Sequence, residues 1–294
     1  MPKASVILAV HNGERFLAEA IRSVEAQTMH DLELVVVDDA STDRTAAVLN
    51  TILPQVRIPV QHLRNEKNLE RCYARNRGAE VARGEYLFFL DYDDVWQPHY
   101  IETSLAMFEQ TGADAVCAIL RSKINERGEL VYVSRKKLPS DVGILIASAL
   151  VGGTPGLAFR KASFPKYDDA FRFREDWEIV LRAFLSGLKI AVTDSDQVWV
   201  REHSARTSRA APAYYRASKR IFDTYYAKVP LPLRPYFEFE IGNAALRHGD
   251  LGFGWSLALC AMRKDASLRT NPRNWLLLLR RGFRLDRWLS PALR

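Results

Sequence analysis

Three apolar runs in the first third of the chain each end abruptly in carboxylate, amide or imidazole side chains. The runs cover residues 4–10, 34–37 and 86–90 and lead into His11-Asn12, Asp38-Asp39 and Asp91-Tyr92-Asp93-Asp94. Runs of this length, each followed by a helical pattern, are typical of buried parallel strands. In an open α/β sheet, ligands bind at the carboxyl ends of the strands. The pattern therefore predicts a crowded acidic sheet edge, which suits a divalent cation and a phosphate-bearing ligand better than it suits stability.

The segments between these runs predict helices, because apolar residues recur there at helical spacing. The predicted helices are 14–27, 41–53, 69–82 and one that begins at Pro98, with a third strand at 58–63. Asn12-Gly13 is expected to turn and cap the first helix, and Ser41 or Thr42 to cap the second. Strands that alternate with helices in this way predict a right-handed, doubly wound βαβ half.

From Asp114 onward the pattern changes to shorter elements. It predicts a hairpin turn at 125–128, a Gly/Pro-rich loop at 152–156, a helix at 175–186 and strands at 115–120, 130–133, 157–159, 189–193 and 197–201. The remainder, from about residue 213, is predicted to be mostly helical. The expected fold is α/β, with a mixed, mainly parallel sheet, flanking helices and a C-terminal helical extension.

Composition and cysteine usage narrow the class of protein. The chain of 294 residues is 48% hydrophobic and 26% charged, which is typical of a soluble globular protein. Its cysteines, Cys72, Cys117 and Cys260, lie far apart without a metal-binding spacing, so we expect reduced thiols in a cytosolic protein. No secretory signal is visible, and the longest uncharged run, 142–159, is interrupted by glycine and proline. The sequence therefore predicts a cytoplasmic protein without a membrane span.

The excess positive charge lies in the last part of the chain. Residues 1–212 hold 27 Lys/Arg and 29 Asp/Glu, whereas residues 213–294 hold 15 Lys/Arg and 6 Asp/Glu. On a helical wheel of residues 271–289, the arginines lie on one side, with Arg281 somewhat apart, and Phe283 and the leucines other than Leu277 lie opposite. This arrangement is typical of a helix that lies on an anionic membrane surface. For a cytoplasmic protein the expected surface is the inner face of the membrane. The alternative is a helix that packs on the rest of the chain or on a second subunit of a homodimer. Nucleic-acid binding is not predicted, because the aromatic residues follow helical spacing rather than forming a stacking platform.

Four sequence motifs resemble those of the family 2 glycosyltransferases, which have the A-type nucleotide-sugar fold. They are SVILAVHN, LELVVVDDASTDRT, ARNRGAEVARGEYLFFLDYDD, and REDW followed by VREH, within residues 4–208. The resemblance implies an inverting transferase that moves a sugar from a nucleotide diphosphate donor, with UDP as the expected nucleotide, to an acceptor hydroxyl. It makes residues 1–212 the nucleotide-sugar-binding and catalytic domain. Residues 213–294 are then a basic helical extension outside it.

Asp91 and Asp93 form an Asp-x-Asp pair at the end of a predicted strand. Hard cations such as Mn²⁺ and Mg²⁺ prefer carboxylate oxygens and leave coordination positions for substrate phosphates. The resemblance makes Asp93 the direct metal ligand and places Asp91 near the ribose and the metal's waters. Asp94 is expected to cap the helix that follows. The alternative is an acidic turn that only caps this helix.

The donor nucleotide is expected near Asp39. A carboxylate can accept the imide N–H of uracil in a charge-assisted hydrogen bond. The resemblance gives this role to Asp39 and adds further donor-site residues: Ala9, His11, Asn12 and Glu14. Asp38 is expected to serve the turn. Arg75 is expected to clamp the diphosphate, which matches guanidinium geometry, and the alternative is a solvated basic helix face.

Glu175-Asp176-Trp177 opens a predicted helix. A carboxylate that accepts the proton of the acceptor hydroxyl assists its attack, and a helix N-terminus favours the ionised form. The resemblance makes Asp176 this base, with Glu175 as an accessory acid; the alternative is that both acids only complement the helix dipole. Trp177 contacts an acceptor sugar or, as we favour, fills the core.

Arg201 and His203 follow the last predicted strand. The resemblance implies that such a pair closes over the diphosphate and that His203 joins the metal shell. The alternative is a structural role, which is more common for a lone histidine. The expected acceptor is a saccharide or lipid-linked saccharide, in cell-surface polysaccharide or glycolipid assembly. Two rival functions are a sugar-phosphate nucleotidyltransferase, whose glycine-rich basic signature is missing after the first strand, and a non-catalytic sugar-nucleotide-binding assembly partner.

Overall fold

The first strand lies inside a seven-stranded sheet that carries most of the core. The computed structural model describes residues 1–204 and 212–283. The strands are β1 (Ala4–Val10), β2 (Leu32–Asp38), β3 (Val60–Arg64), β4 (Tyr86–Asp91), β5 (Val95–Trp96), β6 (Ala115–Ala118), β7 (Ser122–Ile124), β8 (Leu130–Val133), β9 (Leu157–Arg160), β10 (Ile190–Thr193) and β11 (Val198–Arg201). The helices are α1 (Leu17–Glu25), α2 (Thr45–Ile52), α3 (Glu70–Val81), α4 (Tyr100–Thr111), α5 (Val142–Ala147), α6 (Glu175–Leu185), α7 (Pro212–Tyr225), α8 (Arg234–His248), α9 (Leu251–Lys264), α10 (Ala266–Thr270) and α11 (Pro272–Gly282).

The large sheet is mixed and mainly parallel, which confirms the predicted fold class. Its strand order is β10-β6-β9-β4-β1-β2-β3. The strands β1, β2, β3 and β4 pair in parallel, whereas β9 runs antiparallel to both of its neighbours, β4 and β6. The central strands are buried on both faces, which is why their sequences are continuous apolar runs without alternation.

Helices cover both faces of this sheet. Val6, Leu8 and Val10 of β1 pack in one cluster with apolar residues of α1, α2 and α4. On the opposite face α3 approaches closely because it carries Gly78. A Cβ at this position would lie 2.7 Å from a methyl group of Ile7, so no larger side chain fits without displacement.

A second sheet connects the acidic segment to the end of the first unit. Its strand order is β5-β11-β7-β8, with β5 directly after the Asp91–Asp94 segment and antiparallel to β11. This pairing brings the residues that follow β11 back to the acidic segment. The predicted strand at 115–120 is shorter than expected, since β6 ends at Ala118.

The predicted helix caps are wrong. The helices α1 and α2 begin at Leu17 and Thr45, and neither has a side-chain cap from the expected residues. Asn12 instead accepts hydrogen bonds from the backbone of Thr42 (2.8 Å) and Asp43 (3.3 Å), and Ser41 accepts one from the backbone of Asn12 (3.0 Å). The polar side chains join two loops to each other, and this tertiary pairing replaces local capping.

The described residues form two compact units. The first contains residues 1–138 and 151–204, and the second contains residues 139–150 and 212–283. The segment 139–150, which the sequence analysis assigned to the catalytic domain, groups with the C-terminal helices because its unpredicted helix α5 packs against α8. The functional roles of the two parts remain predictions. No helix within residues 1–204 and 212–283 combines the length and apolar character needed to span a bilayer.

Candidate active site

The carboxyl ends of β1, β2 and β4 lie side by side. The strand register pairs Val10 with Asp38 and Ala9 with Asp91. The predicted acidic edge therefore forms, and the loops that follow these three strands converge on it.

Three carboxylates form a cluster after β4. Asp91, Asp93 and Asp94 each offer an oxygen within 4.8 Å of the others. The side chains of Asp91 and Asp93 are 29% and 15% exposed, so both can reach a ligand. An all-oxygen set with partly exposed members fits a hard divalent cation that retains waters and substrate phosphates. Asp94 is buried and accepts the backbone N–H of Arg201 at 2.8 Å, so the expectation that it caps the next helix is wrong.

His203 lies directly beside Asp93. Its Nε2 is 2.8 Å from Asp93 Oδ2, and its ring packs against Phe16 with a centroid separation of 5.0 Å. Its Nδ1 is buried without a hydrogen-bond partner in the part of the chain that the structure describes. The antiparallel pair β5–β11 creates this contact between residues 110 positions apart. The predicted role of His203 in a metal shell remains a prediction.

Arg201 is fully buried and holds the backbone of the acidic segment. Its guanidinium donates to the carbonyl oxygens of Asp93 and Asn125, both at 2.9 Å, and to Glu19 Oε2 at 2.6 Å. The ring of Phe16 lies 4.8 Å below the guanidinium. In this geometry Arg201 positions Asp93 through its carbonyl, and the predicted contact with a diphosphate remains untested.

Arg75 connects the acidic cluster to helix α6. Its Nη2 lies 2.6 Å from Asp91 Oδ1 and its Nη1 lies 3.1 Å from Glu175 Oε1, while its side chain is only 4% exposed. The face of Tyr167 lies 5.2 Å from the guanidinium carbon. Burial opposes the charge, but Asp91, Tyr167 and Glu175 together raise the pKa of Arg75 well above its usual range. The residue is therefore a buried bridge rather than part of a solvated helix face, and its predicted diphosphate contact remains a prediction.

Glu175 and Asp176 begin α6 with different environments. Glu175 is buried and pairs with Arg75 and with Arg71, whose Nη1 lies 3.6 Å away. Asp176 is half-buried, and its Oδ1 accepts the backbone N–H of Trp177 at 2.8 Å. Burial, followed by the negative charge of Glu175, raises the pKa of Asp176 to about 6. The pKa is thus raised although Asp176 lies at a helix N-terminus, because desolvation and the neighbouring carboxylate dominate.

Trp177 lies in the core, as the favoured interpretation expected. It is buried, and the guanidinium of Arg174 stacks 4.1 Å from its ring centroid. Arg174 itself adopts a left-handed conformation with φ of 59° immediately before the helix.

Asp39 lies at the end of β2 and is buried. Its Oδ1 accepts hydrogen bonds from Asn65 Nδ2 at 2.6 Å and from the backbone of Leu69 at 3.0 Å. His11 Nδ1 lies 2.8 Å from the backbone oxygen of Asp39, which fixes the ring beside it. Asp38 serves the turn, as expected: its carboxylate accepts the backbone N–H of Ser41 and pairs with Arg64.

The other predicted donor-site residues contact neighbouring loops. The amide oxygen of Asn12 binds the backbone at Thr42, and Glu14 Oε2 accepts the backbone N–H of Arg44 at 2.9 Å. Glu14 also lines a groove of about 450 Å³ between α1 and α2. Ala9 is opposite Asp91 in the sheet. Their contacts with a donor remain predictions.

Several residues of the site were not found from the sequence. Asn65 directly follows β3, whose sequence Val-Gln-His-Leu-Arg has no continuous apolar run, so the rule used for the other strands did not find it. Tyr167, Phe16 and Glu19 carried no comparable signal, because their contacts with Arg75 and Arg201 form only in the folded chain. Tyr92 packs against Gly13, and burial, followed by the negative charges of Asp93 and Asp91, raises its pKa to about 12.

The sequence model of Glycosyl transferase family 2 matches residues 5–167, which is more than half of the chain. The chain belongs to glycosyltransferase family 2. The match includes Asp39, Arg75, Asp91 and Asp93, whereas Asp176 and His203 lie beyond it. Assignment of the base therefore depends on geometry rather than on this match.

A curated relative supports the same family. An uncharacterized glycosyltransferase of Nostoc sp. is 39% identical over 220 residues, which cover 71% of this chain and 67% of that protein. In the curated relatives compared, the match spans 67% of the relative's length or less.

Solved structures show the A-type nucleotide-sugar transferase fold. S. aureus TarS 1–349 in complex with UDP-GlcNAc has a TM-score of 0.60 and 18% identity, covering 91% of each chain. The mannosyltransferase PcManGT of Pyrobaculum calidifontis, in complex with GDP-Man and Mn²⁺, has a TM-score of 0.61 and 17% identity, covering 97% of this chain and 81% of that chain. These two proteins bind different nucleotides, so the shared fold does not identify the nucleobase of this chain's donor.

We expect Arg75→Met to destabilise this family 2 protein strongly. The substitution leaves the buried Glu175 without its closest cation, and breaking a buried pair from one side costs about 3–5 kcal/mol. The measurement is the urea dependence of unfolding. Arg71→Met removes a second cation from the same carboxylate, but Arg71 is 42% exposed, so this matched control should cost less than about 1 kcal/mol. Equal losses from the two variants would contradict the buried bridge.

Proposed function

We propose that this chain transfers a sugar from a UDP-sugar to an acceptor hydroxyl, with inversion at the anomeric carbon and with a divalent cation. The observation that carries the proposal is the Arg75 bridge. One buried guanidinium contacts Asp91 in the acidic cluster and Glu175, the neighbour of Asp176. The guanidinium of Arg75 thereby connects the proposed donor-binding edge to the helix that carries the candidate catalytic base.

Asp39 supports the uridine part of the proposal. Among the described residues, both hydrogen bonds to its carboxylate end on Oδ1, so Oδ2 is the oxygen that would accept the imide N–H of uracil. His11, held by the backbone of Asp39, would line the base. The UDP-GlcNAc complex of TarS gives a precedent on the same fold.

The acidic cluster supports a bound cation. Asp93 and Asp91 would hold it, with His203 as the neighbouring nitrogen ligand. Mn²⁺ or Mg²⁺ would supply Lewis-acid stabilisation of the leaving nucleoside diphosphate. Arg201 would keep Asp93 in register through its carbonyl oxygen, and the Mn²⁺ complex of PcManGT is a precedent for the ion.

Asp176 would act as the base in a single displacement. Its carboxylate accepts the proton of the acceptor hydroxyl as the hydroxyl oxygen bonds to the anomeric carbon. The bond from that carbon to the diphosphate oxygen breaks on the opposite face, so the configuration inverts. A pKa of about 6 keeps the carboxylate mostly ionised at neutral pH while leaving it basic enough to accept the proton.

The acceptor would be a saccharide or a lipid-linked saccharide, in a cytoplasmic step of cell-surface polysaccharide or glycolipid assembly. The positive charge of residues 213–294 supports an acceptor held near an anionic surface. Family membership argues against the nucleotidyltransferase alternative. A non-catalytic sugar-nucleotide binder is distinguished by the first experiment below.

Asp176→Asn should abolish transfer and leave donor binding unchanged. The amide keeps the shape of the side chain but cannot accept the proton, and loss of a general base typically costs about 10²–10⁴-fold in rate. The measurements are the release of UDP in the presence of acceptor and the affinity for UDP-sugar. Asp168→Asn, a substitution of an exposed acid outside α6, is the matched control and should retain activity. Full activity of Asp176→Asn would remove Asp176 from the role of base.

The rate should depend on pH through Asp176. The base is active only when ionised, so kcat/KM should fall tenfold per pH unit below about pH 6, where the carboxyl becomes protonated. Glu175→Gln removes a negative charge that raises this pKa, so the acidic limb should move to lower pH. Asp168→Asn, an exposed acid outside α6, should leave the limb in place. A limb that stays unmoved in Glu175→Gln would contradict the assignment.

Donor and metal preference can be measured by thermal shift with UDP-, TDP- and GDP-sugars, each with and without Mn²⁺. We expect the largest rise in melting temperature from a UDP-sugar with Mn²⁺, because donor and ion stabilise the folded state together. Asp93→Ala should remove the Mn²⁺-dependent part of the shift. Asp223→Ala, an exposed acid of the second unit paired with Lys219, is the control. A shift in Asp93→Ala equal to that of the unmodified chain would exclude Asp93 as a ligand.

A further inference from the structure

Helix α11 exposes a set of large apolar side chains on one side. Trp275, Leu276, Leu279 and Phe283, the last directly after the helix, are 38%, 68%, 42% and 66% exposed. At 100° per residue these four positions fall within an arc of about 100°. Single exposed apolar residues are ordinary, but a contiguous patch of four large ones indicates a binding surface. We name these four residues the α11 patch.

The orientation of α11 within the second unit is fixed by its other side. Leu278 is fully buried, Gly282 lies against the ring of Trp255, and Arg281 donates to Asn243 of α8. The sequence wheel placed Leu276, Leu278 and Leu279 on one apolar arc, and the structure divides that arc: Leu278 is buried, whereas the α11 patch is exposed. Leu285 and Leu289, which the wheel also included, lie outside the described residues.

Basic residues border the α11 patch on both sides. On the helical wheel, Arg280 and Arg273 lie next to Leu276 on the side away from Trp275. At the opposite border, the indole N–H of Trp275 donates to the backbone oxygen of Arg269 at 2.7 Å. Arg269 and Arg273 are exposed. The patch is therefore an apolar strip between cations, which is the arrangement of helices that lie at a bilayer interface.

The helices next to the patch carry only basic charges. Neither α10 nor α11 contains an acidic residue within its bounds. Three acids of the same unit have local partners: Asp250 and Asp265 cap α9 and α10, and Glu238 pairs with Lys264. The charged side chains of α10 and α11 would therefore be complementary to an anionic partner.

We propose that the α11 patch binds the surface of an anionic lipid bilayer. The helix lies in the plane of the interface, its apolar side chains enter the boundary between headgroups and acyl chains, and the bordering arginines contact lipid phosphates. Eleven residues span roughly 16 Å, which suits this orientation and not a transmembrane one. A two-fold contact between two copies of this helix would place arginine against arginine, which disfavours a second subunit as the occupant. The proposal does not depend on the transferase activity.

Sedimentation with lipid vesicles tests the proposal on the full chain without donor or acceptor. We expect binding to vesicles that contain phosphatidylglycerol, weak binding to pure phosphatidylcholine, and release as salt is raised. The double variant Leu276→Glu/Leu279→Glu should lower the partition coefficient by roughly 100-fold. Arg269→Gln and Arg273→Gln should each lower it about fivefold.

Leu231→Glu is the matched control. Leu231 belongs to the same unit and is 72% exposed, but it is not part of the α11 patch. It precedes α8, whereas α11 contacts α8 farther along the helix, at Asn243. This variant should bind vesicles like the unmodified chain. Circular dichroism and the melting temperature establish that each variant is folded. Equal binding by the Leu276→Glu/Leu279→Glu variant, equal binding to neutral vesicles, or a dimer in light scattering that only this variant dissociates would each overturn the proposal.

Discussion

The site depends on one buried positive charge. The guanidinium of Arg75 lies between Asp91 and Glu175 and beneath the ring of Tyr167, almost without contact with solvent. It joins the consecutive elements α3 and β4 to the start of α6, where Glu175 lies 100 residues after Arg75. Without this cation, the buried Glu175 would lose its closest counter-charge in a poorly solvated space. The bridge therefore ties the acidic edge to the start of α6, and with it to the position of Asp176.

Arg201 makes a second buried connection, to two backbone carbonyls and one carboxylate. It donates to the carbonyl oxygens of Asp93 and Asn125 and to Glu19 Oε2, so it holds the backbone of the acidic segment without contacting the carboxylates of the cluster. His203, two residues later, reaches the carboxylate of the same Asp93. Both contacts follow from the pairing of β5 with β11. The backbone and the side chain of Asp93 are thus held by residues at the end of β11 and directly after it, which would preorganise Asp93 for the proposed cation.

Much of the fold and part of the site could be predicted from the sequence. The positions of β1, β2 and β4 could be predicted because strands that are buried on both faces have continuous apolar sequences. The acids at their ends follow, since parallel strands place their carboxyl ends at one edge. The contact of Arg75 with Glu175 and the contacts of Arg201 could not be predicted, because the partners lie between 76 and 182 residues away. Hydrophobic periodicity indicates which residues are buried but not which residues they contact. The predicted helix caps were wrong for the same reason. Asn12 and Ser41 form hydrogen bonds with each other's loops instead of capping the helices that follow them.

For helix α11, too, the sequence could not predict which neighbours its side chains contact. Its sequence establishes that it is amphipathic, but a wheel cannot decide which apolar residues meet the protein and which remain exposed. Burial of Leu278 and Gly282 makes that decision, and it moves the exposed arc next to the arginines rather than opposite them. A patch with cations at its border is better suited to a headgroup region than two separate faces, because apolar burial and phosphate contact can then occur at one depth. The acids of this chain gather in the first unit, where a cation and a diphosphate are proposed to bind, and its excess of arginine lies in the second. The same charge asymmetry thus supports a nucleotide-sugar site and a lipid-binding surface on different parts of one chain.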